Sequence, residues 1–302
     1  MIDIKLLEKK SEPNSISYFE DYKKSLTARG ENFKTLEEVM ELNQIRKKAI
    51  TEAEQVKAQQ NKLSQSVGQL KREGKDTTEL MKESTKLGEI YKNLEHSAKE
   101  NDEKVFQLLS TLPNKIHNSV PIGTTAEQNK EVKKIGEPTK FSFQAKEHFD
   151  LGEKLGILDF ERAGKVTGAR FSYLKGKGAQ LERALIQYFM DLHSQNHGYQ
   201  EMIPPYIVNT ASYFGTGQFP KFKEDVFHLE NTDYFLISTA EVPVTNYFRD
   251  EILKEEELPI SFCAYSPCFR SEAGAAGKDT RGLIRQHQFH KVELMTFAHP
   301  DK

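Results

Sequence analysis

Two charged residues near the C-terminal end of the chain could share one wall of a ligand site. Residues 261–272 and 283–297 have strand-like composition and flank a loop of small and polar residues, which predicts an antiparallel hairpin. Arg270 and Glu272 are two positions apart on the first segment, so the alternation of a strand places both side chains on one face. A guanidinium beside a carboxylate can bind a phosphate and orient an amine or a hydroxyl.

The returning segment supplies a second row of chemically useful side chains. Arg285, Phe289 and Glu293 follow one another at intervals of four, which again puts them on one face of a strand. The row contains a cation for phosphate, a flat ring for a base, and an acid for an amine or a hydroxyl. Taken singly, these residues also fit ordinary cross-strand ion pairs and a core phenylalanine. As a set, they favour a nucleotide-binding surface.

The whole of segment 268–293 carries a motif. It opens with Phe-Arg-Ser-Glu, continues through a small-residue loop, and returns as Thr-Arg-Gly-Leu-Ile-Arg-x-His-Gln-Phe. This pattern resembles the second signature motif of class II aminoacyl-tRNA synthetases, in the form seen in seryl-tRNA synthetases. The resemblance implies ATP-dependent attachment of L-serine to serine tRNA through a seryl-adenylate intermediate. It leaves open the serylation of the tRNA for selenocysteine.

The resemblance also implies a role for each matching residue. Arg270 and Arg285 are expected to be catalytic, with Arg270 binding both the α-phosphate and the attacking carboxylate of serine. Phe289 is expected to stack on adenine, and Glu293 is expected to bind serine. The residues implied to contact ATP are Arg270, Ser271, Glu272 and Phe289.

A second constellation lies in segment 235–244, which predicts a strand that runs into a polar step. Thr239 and Glu241 are two positions apart, so a hydroxyl and a carboxylate share a face. An alternative interpretation is a helix N-cap, with Ser238 or Thr239 as the capping residue; both interpretations can hold together. The triplet resembles the Thr-x-Glu of seryl-tRNA synthetases, which implies that Thr239, Ala240 and Glu241 bind serine.

The sequence does not predict a metal site made by the protein alone. His287 and His290 are three positions apart on a predicted strand, so they face opposite sides and are poorly placed to share a metal. Magnesium is expected to accompany ATP and to neutralise its polyphosphate.

Composition and charge set broader limits. The chain has 302 residues, 37% of them hydrophobic, and a formal net charge of −2, so any contact with RNA must come from a local basic patch. No apolar run approaches the roughly 18 residues of a membrane span. The two cysteines, Cys263 and Cys268, have odd spacing on one predicted strand and should be reduced and buried. A cytoplasmic location is therefore expected.

Segment 36–108 has the Lys, Glu, Gln, Leu and Ala content of a coiled coil. A break at 73–76 divides it into two helices, which predicts an antiparallel hairpin arm roughly 50 Å long. The second row predicted on the outgoing helix is Ile45, Glu52, Gln59 and Ser66, and its polarity indicates a narrow, two-helix seam. The leucine-rich rows are Leu42, Ala49, Val56, Leu63 and Leu70 going out and Leu80, Leu87, Leu94 and Leu108 returning. The second returning row is Ser84, Tyr91, Ala98 and Val105.

Charge is divided unequally between the two predicted helices. Residues 41–75 contain eight basic and four acidic side chains, whereas residues 76–104 contain five lysines and eight acids. The charges could simply complement each other across the pair, or the basic helix could bind a phosphate backbone. Seryl-tRNA synthetases carry an N-terminal hairpin of this kind that binds the long variable arm of serine tRNA. The tRNA contacts expected on this basis are Arg46, Lys57, Lys71, Arg72, Lys75, Lys278 and Arg281.

These features predict an α+β chain with two domains. Residues 1–115 are expected to form the tRNA-binding helical hairpin, and residues 116–302 a class II antiparallel β-sheet domain flanked by helices. Segment 178–195 predicts an amphipathic helix, and the proline pair in 199–209 confines that segment to a sheet edge or a bulge. Such a helix and strand resemble the first class II motif, which implies a homodimer.

The resemblance implies a third, glycine-rich motif roughly a hundred residues beyond the second, and the sequence stops at Lys302. Weak or absent activity is therefore expected from this piece alone. A competing hypothesis is a non-catalytic tRNA-binding or scaffolding derivative of a synthetase. The complete set of nucleotide and serine residues weighs against that hypothesis, because a scaffold has no use for them.

Overall fold

The structure is a computed structural model that describes residues 2–9, 16–272 and 281–301. The chain divides into two compact units, Met1–Ile135 and Gly136–Lys302. Residues 113–147 contain little regular structure, apart from a 3₁₀ turn at Ala126–Gln128. The predicted domain boundary near residue 115 falls at the start of this segment and stays a prediction. Within the described residues, no helix is long and apolar enough to cross a membrane.

The first unit is helical, and its two long helices confirm the predicted arm. They run antiparallel, since Arg46 on the outgoing helix pairs with Asp102 at 2.5 Å and Gln60 bonds the carbonyl of Ser84 at 3.3 Å. The turn between them contains Gly74 at φ 70°, a left-handed conformation that glycine adopts without strain. The helices in the described part of this unit are α1 (Ile4–Glu8), α2 (Tyr18–Ala28), α3 (Lys34–Arg72) and α4 (Thr78–Thr111).

The seam of the arm follows three of the four predicted rows, and the fourth was wrong by one residue. Ile45, Gln59 and Ser66 are exposed, because the second row of α3 lies four positions after the first row and not three. This spacing is the ordinary alternation of three and four in a heptad. The seam positions of that row are Val39, Arg46, Ala53, Gln60 and Val67.

The base of the arm has its own hydrophobic core. Tyr22 and Leu26 of α2 are fully buried against Leu36 of α3 and against Val105 and Leu109 of α4. The Tyr22 hydroxyl donates to the carbonyl of Pro113 at 2.6 Å, which connects α2 to the residues that follow the end of α4. Burial raises the pKa of Tyr22 to about 12.

The second unit is built on a three-stranded sheet in the order β3-β6-β7. Strands β6 and β7 are antiparallel, which confirms the predicted hairpin, while β3 adds to β6 in parallel at the sheet edge. Two-stranded ladders pair β1 with β2 and β4 with β5. The strands are β1 (Leu158–Asp159), β2 (Tyr173–Leu174), β3 (Gln200–Met202), β4 (Ile207–Asn209), β5 (Tyr234–Leu236), β6 (Ile260–Phe269) and β7 (Gln288–Phe297).

Helices flank these strands, as predicted. The amphipathic helix is Lys177–Asp191, continued by a π-helical turn at Leu192–Asn196, and Gly198 follows it at φ 74°. Pro204 and Pro205 lie just after the edge strand β3, where a proline interrupts no ladder. The helices of this unit are α5 (His148–Lys154), α6 (Phe160–Thr167), α7 (Lys177–Asp191), α8 (Thr210–Gly215) and α9 (Glu241–Thr245).

Two small cores support the strands that carry the site. One is aromatic and centres on Tyr213, Phe219 and Phe235, with the first two rings stacked at 4.7 Å. The other packs α9 against Phe262 and Ala264 of β6. Cys263 and Cys268 are buried free thiols, as predicted, and burial raises the pKa of each.

Candidate functional site

The β6–β7 hairpin places the predicted residues at one end of the sheet. Phe289 is paired with Cys268 and Glu293 with Ala264, so the row on β7 faces the end of β6. Both strands stop before the loop, at Phe269 and Gln288. Arg270, Glu272 and Arg285 therefore lie in non-strand backbone, where strand alternation no longer sets their direction.

Most of these side chains line one cleft of about 500 Å³. This volume lies within the usual range for small-molecule sites. The lining combines three cations, three acids, two hydroxyls, an amide and two apolar side chains. Its residues are Gln218, Phe222, Asp225, Val226, Ser238, Thr239, Glu241, Arg270, Glu272, Arg285 and Lys291.

Arg270 is held in the cleft from two sides. Its Nε donates to the carbonyl of Ser238 at 3.3 Å, and its guanidinium carbon lies 5.0 Å from the centre of the Phe289 ring. The main chain is fixed as well, because Arg270 N–H donates to the carbonyl of His287 at 2.9 Å. The backbone and the stacked ring thus fix the direction of this cation while leaving donors for a ligand.

Glu272 and Arg285 form the outer part of the cleft. The Arg285 guanidinium donates to Glu272 Oε2 at 3.3 Å, and the acid is much less exposed than the arginine. Arg170 donates to the carbonyl of Glu272 at 3.1 Å. Both Glu272 and Arg170 adopt positive φ, at 49° and 65°, a strained conformation that is common at ligand sites.

Thr239, Glu293 and Lys291 form a closed triangle at the inner part of the cleft. The Thr239 hydroxyl donates to Glu293 Oε2 at 2.7 Å and accepts from Lys291 Nζ at 2.6 Å. Lys291 also pairs with Glu293. The Thr239 oxygen further accepts from the N–H of Glu241 at 3.2 Å. Helix α9 begins at Glu241 with Ala240 as its N-cap and no side-chain cap bond, so the interpretation of Ser238 or Thr239 as the N-cap was wrong.

Lys291 was missed by the sequence analysis, although its position gave the signal. It lies midway between Phe289 and Glu293, and the alternation that places those two on one face includes it. Phe289 and Glu293 were predicted because of their residue types, and Lys291 between them was not.

A second set of residues, which sequence spacing could not predict, supports the wall of the cleft through hydrogen bonds. Gln218 accepts from the Ser238 hydroxyl at 3.0 Å, and the Ser238 N–H donates to the Tyr213 hydroxyl at 3.0 Å. Tyr213 in turn donates to the carbonyl of Leu236 at 2.8 Å. Burial raises the pKa of Tyr213, which keeps this hydroxyl neutral and able to donate.

Not every predicted contact residue lines the cleft. The Ser271 hydroxyl donates to the carbonyl of Glu224 at 2.6 Å, and Ala240 is fully buried beneath the surface. Phe289 and Glu293 reach the cleft through the residues they touch, Arg270 and Thr239. Their assigned roles stay predictions.

The expected tRNA contacts differ among themselves. Arg46 is a half-buried seam residue paired with Asp102, and Lys57 lies over the ring of Tyr91 at 4.8 Å. Three exposed cations, Lys71, Arg72 and Lys75, lie at the tip of the arm. Arg281 is exposed beside the hairpin. Lys278 lies outside the described residues.

Comparisons with known proteins agree with this geometry. Residues 1–116 match the seryl-tRNA synthetase N-terminal domain, and residues 222–302 match the tRNA synthetase class II core domain (G, H, P, S and T). A serine–tRNA ligase of Bdellovibrio bacteriovorus is 62% identical over the whole chain, which spans 70% of that protein. The chain belongs to the seryl-tRNA synthetase family. A serine–tRNA ligase of Listeria innocua is 52% identical, over 100% of this chain and 69% of its own length.

Solved structures of the family superpose on the chain. The seryl-tRNA synthetase of Pyrococcus horikoshii, complexed with ATP, has a TM-score of 0.87 at 33% identity and covers 100% of this chain and 70% of its own. A cytoplasmic serine–tRNA ligase of Naegleria fowleri, in complex with AMP, has a TM-score of 0.78 at 27% identity, covering 95% and 65%. These matches confirm the predicted fold class, and they favour a ligase over a non-catalytic scaffold.

Proposed function

We propose that the chain attaches serine to serine tRNA and that the cleft beneath Arg270 is where serine is activated by ATP. The observation that carries this proposal is the single arrangement of Arg270, Phe289 and the Thr239–Glu293 pair around one cleft. A cation for phosphate, a ring for a base and acceptors for an amine lie within reach of one another. The ligase relatives support the same assignment.

Serine activation needs positioning and charge stabilisation more than it needs a reactive side chain. The serine carboxylate attacks the α-phosphate in line, and pyrophosphate leaves. Arg270 is proposed to contact both reacting groups, so that it offsets the charge that develops in the transition state. Its fixed backbone and its stacking on Phe289 mean that little freedom is lost when the reactants bind.

The nucleotide is proposed to lie along the outer part of the cleft. Phe289 would stack on adenine, a contact worth about 1–3 kcal/mol for a nucleic-acid base. Arg285 would bind a phosphate, and Glu272 would orient the adenine side. The ion pair between Arg285 and Glu272 at 3.3 Å fixes both side chains in the same region.

Serine is proposed to bind at the inner part of the cleft. Thr239, Glu241 and Glu293 supply acceptors for its ammonium and hydroxyl groups, and an acceptor buried without its partner is costly. Alanine lacks the hydroxyl and should be rejected by about 10⁴-fold or more. Threonine must be excluded by the size of the pocket.

Magnesium is proposed to bind with ATP and to neutralise its phosphates. This ion usually combines one or two carboxylates with phosphate oxygens and water. Within the part of the chain that the structure describes, no three acidic, histidine or cysteine side chains form a metal group, so the phosphates would supply the remaining ligands.

The helical arm is proposed to bind the long variable arm of serine tRNA. The three exposed cations at its tip, Lys71, Arg72 and Lys75, are best placed for phosphate contacts. Arg46 already forms an ion pair with Asp102, which argues for a structural role. The same helical arm would also bind selenocysteine tRNA, and so permit its serylation, if that tRNA has a similar variable arm.

A homodimer formed through helix α7 is also proposed. Four apolar side chains at helical spacing are exposed on it, with Leu181 and Tyr188 60% and 58% accessible and Leu185 and Phe189 also exposed. An apolar stripe of this kind marks an interaction surface, and a second copy can cover it symmetrically. Leu185→Glu should yield monomers in light scattering, whereas the exposed, polar Gln187→Glu should not.

The cytoplasm is the proposed location. Both cysteines of the described core are buried free thiols, which suits a reducing compartment.

Exchange of pyrophosphate into ATP tests the proposed reaction. Any exchange that the purified protein catalyses should depend on serine and cease when alanine replaces it. Exchange supported equally by alanine or threonine would contradict the serine assignment, and serine binding without any binding of ATP would contradict the assignment of ATP to this cleft.

A further inference from the structure

Lys291 makes two contacts with the groups assigned to serine. Its Nζ lies 2.6 Å from the Thr239 hydroxyl and pairs with the Glu293 carboxylate. Both charged side chains are largely shielded from solvent, at 31% and 21% accessible. The lysine is therefore part of the wall and not a passing surface charge.

The ammonium of serine would need the same two oxygens. Lysine and an α-amino acid both present a positively charged ammonium with three donors, and the Thr239 and Glu293 oxygens lie 2.7 Å apart. Two ammonium groups at one such pair of acceptors would repel each other. One of them must move away when the other binds.

We infer that Lys291 is a specificity-determining residue, which serine displaces from Thr239 and Glu293 and which then binds the serine carboxylate. The exchange conserves ion pairs, because the ligand ammonium replaces the lysine ammonium at Glu293 and the ligand carboxylate receives the released cation. The long, flexible stem of lysine allows the head group to move without moving the strand.

The exchange of ion pairs favours ligands that carry a carboxylate. With a zwitterionic amino acid, the ligand ammonium pairs with Glu293 and the Lys291 ammonium pairs with the ligand carboxylate. An amine without a carboxylate would leave Lys291 displaced and unpaired in a shielded site. Removal of a partner from such a pair is costly. Lys291 therefore selects for the carboxylate of the ligand.

Titration calorimetry with serine and with serinol tests this role, which rests on the proposed serine site. Serinol keeps the amine and hydroxyl and has a hydroxymethyl group in place of the carboxylate. The variant Lys291→Met keeps the stem and removes the charge. We expect Lys291→Met to bind serine more weakly and serinol more tightly, so that the ratio of their affinities falls by about tenfold or more.

Two control variants separate charge at this site from charge in general. Lys291→Arg keeps the cation and should preserve most of the preference for serine. Lys165→Met removes an exposed lysine on α6 and should leave both affinities unchanged. Equal weakening of serine and serinol by Lys291→Met, or no change in either, would overturn the inference.

Glu293→Gln separates this inference from the proposed function. Loss of both ligands in Glu293→Gln confirms the amine site, and an unchanged preference in Lys291→Met would then overturn only the role of the lysine. Unchanged serine binding in Glu293→Gln would overturn the serine site together with the inference that rests on it.

Discussion

The helical arm and the candidate cleft are stabilised by different kinds of contact. In the arm, similar apolar contacts recur every seven residues, and exposed ion pairs such as Lys82–Glu79 lie on the surface. In the cleft, the contacts do not repeat, and several link residues far apart in the chain, such as Thr239 with Glu293 and Arg170 with Glu272. The arm has many interchangeable contacts, and the cleft has few.

Single substitutions should therefore have different effects in the two regions. A repeated seam loses one layer of many when one side chain changes, and surface ion pairs contribute little each. A linked set loses its geometry when one member is removed, because the remaining polar groups are left without partners. Large effects of single substitutions are therefore expected in the cleft, and the arm should respond mainly to grouped changes of charge.

The largest expected effect is that of Arg270→Ala on adenylate formation. Loss of a transition-state donor costs about 3–4 kcal/mol, equivalent to a rate reduction of roughly 10²–10³. Pyrophosphate exchange measures the rate, and circular dichroism checks the fold. Lys254→Ala, an exposed lysine outside the cleft, is the control. A reduction below tenfold would remove Arg270 from the centre of the mechanism.

Charge reversal at the tip of the arm should separate tRNA binding from activation. Changing Lys71, Arg72 and Lys75 to Glu should weaken tRNA binding and reduce the slope of log K against log[salt] by about 2–3, if each cation contacts one phosphate. Pyrophosphate exchange should be unchanged.

The matched control for the tip lies on the other helix of the arm. The same reversal at Lys86, Lys92 and Lys99 of α4, which are also exposed, should affect tRNA binding far less. Equal effects of the two triple variants would show that the arm acts by total charge and not by its basic helix.

A smaller effect is expected at the hydroxyl of the triangle. Thr239→Val keeps the shape and removes the oxygen that contacts Glu293 and Lys291. The KM for serine should rise by about tenfold, as expected for a lost hydrogen bond in a shielded site, while the KM for ATP stays constant. A parallel rise of both constants would indicate a general distortion of the cleft.

The smallest effect concerns the base of the arm at high pH. The pKa of Tyr22 is about 12 in the folded protein, against about 10 in an unfolded chain. The folded state therefore holds this proton more tightly, so its contribution is complete below pH 10 and is lost as the pH rises toward 12.

Tyr22→Phe isolates that contribution. The variant should lose about 1 kcal/mol near pH 8, because the carbonyl of Pro113 loses its donor, and the difference from the native protein should shrink above pH 10. Urea unfolding at both pH values measures it. A difference that grows with pH would contradict the sign.

The two regions also differ in how far the sequence predicts them. Heptad spacing located the arm, its turn and three of its four rows, because helix periodicity is a local property. The fourth row was wrong by one residue, since steps of three and four both fit a heptad and the polar Arg46 and Gln60 hid the correct choice.

In the cleft, strand alternation located Phe289 and Glu293, and the motif identified Arg270, Glu272 and Arg285. Neither strand alternation nor the motif could predict Gln218, Tyr213 or Arg170, because tertiary folding brings these residues to the site and they share no spacing with the motif. Lys291 was within reach of the alternation rule and was passed over because it was judged by type.

A crystal structure with a non-hydrolysable seryl-adenylate analogue is the decisive test of the proposed activation site. We expect the phosphate mimic against Arg270, adenine on Phe289 and the ligand ammonium between Thr239 and Glu293. An analogue bound outside this cleft, or an Arg270 side chain turned into solvent in the complex, would contradict it.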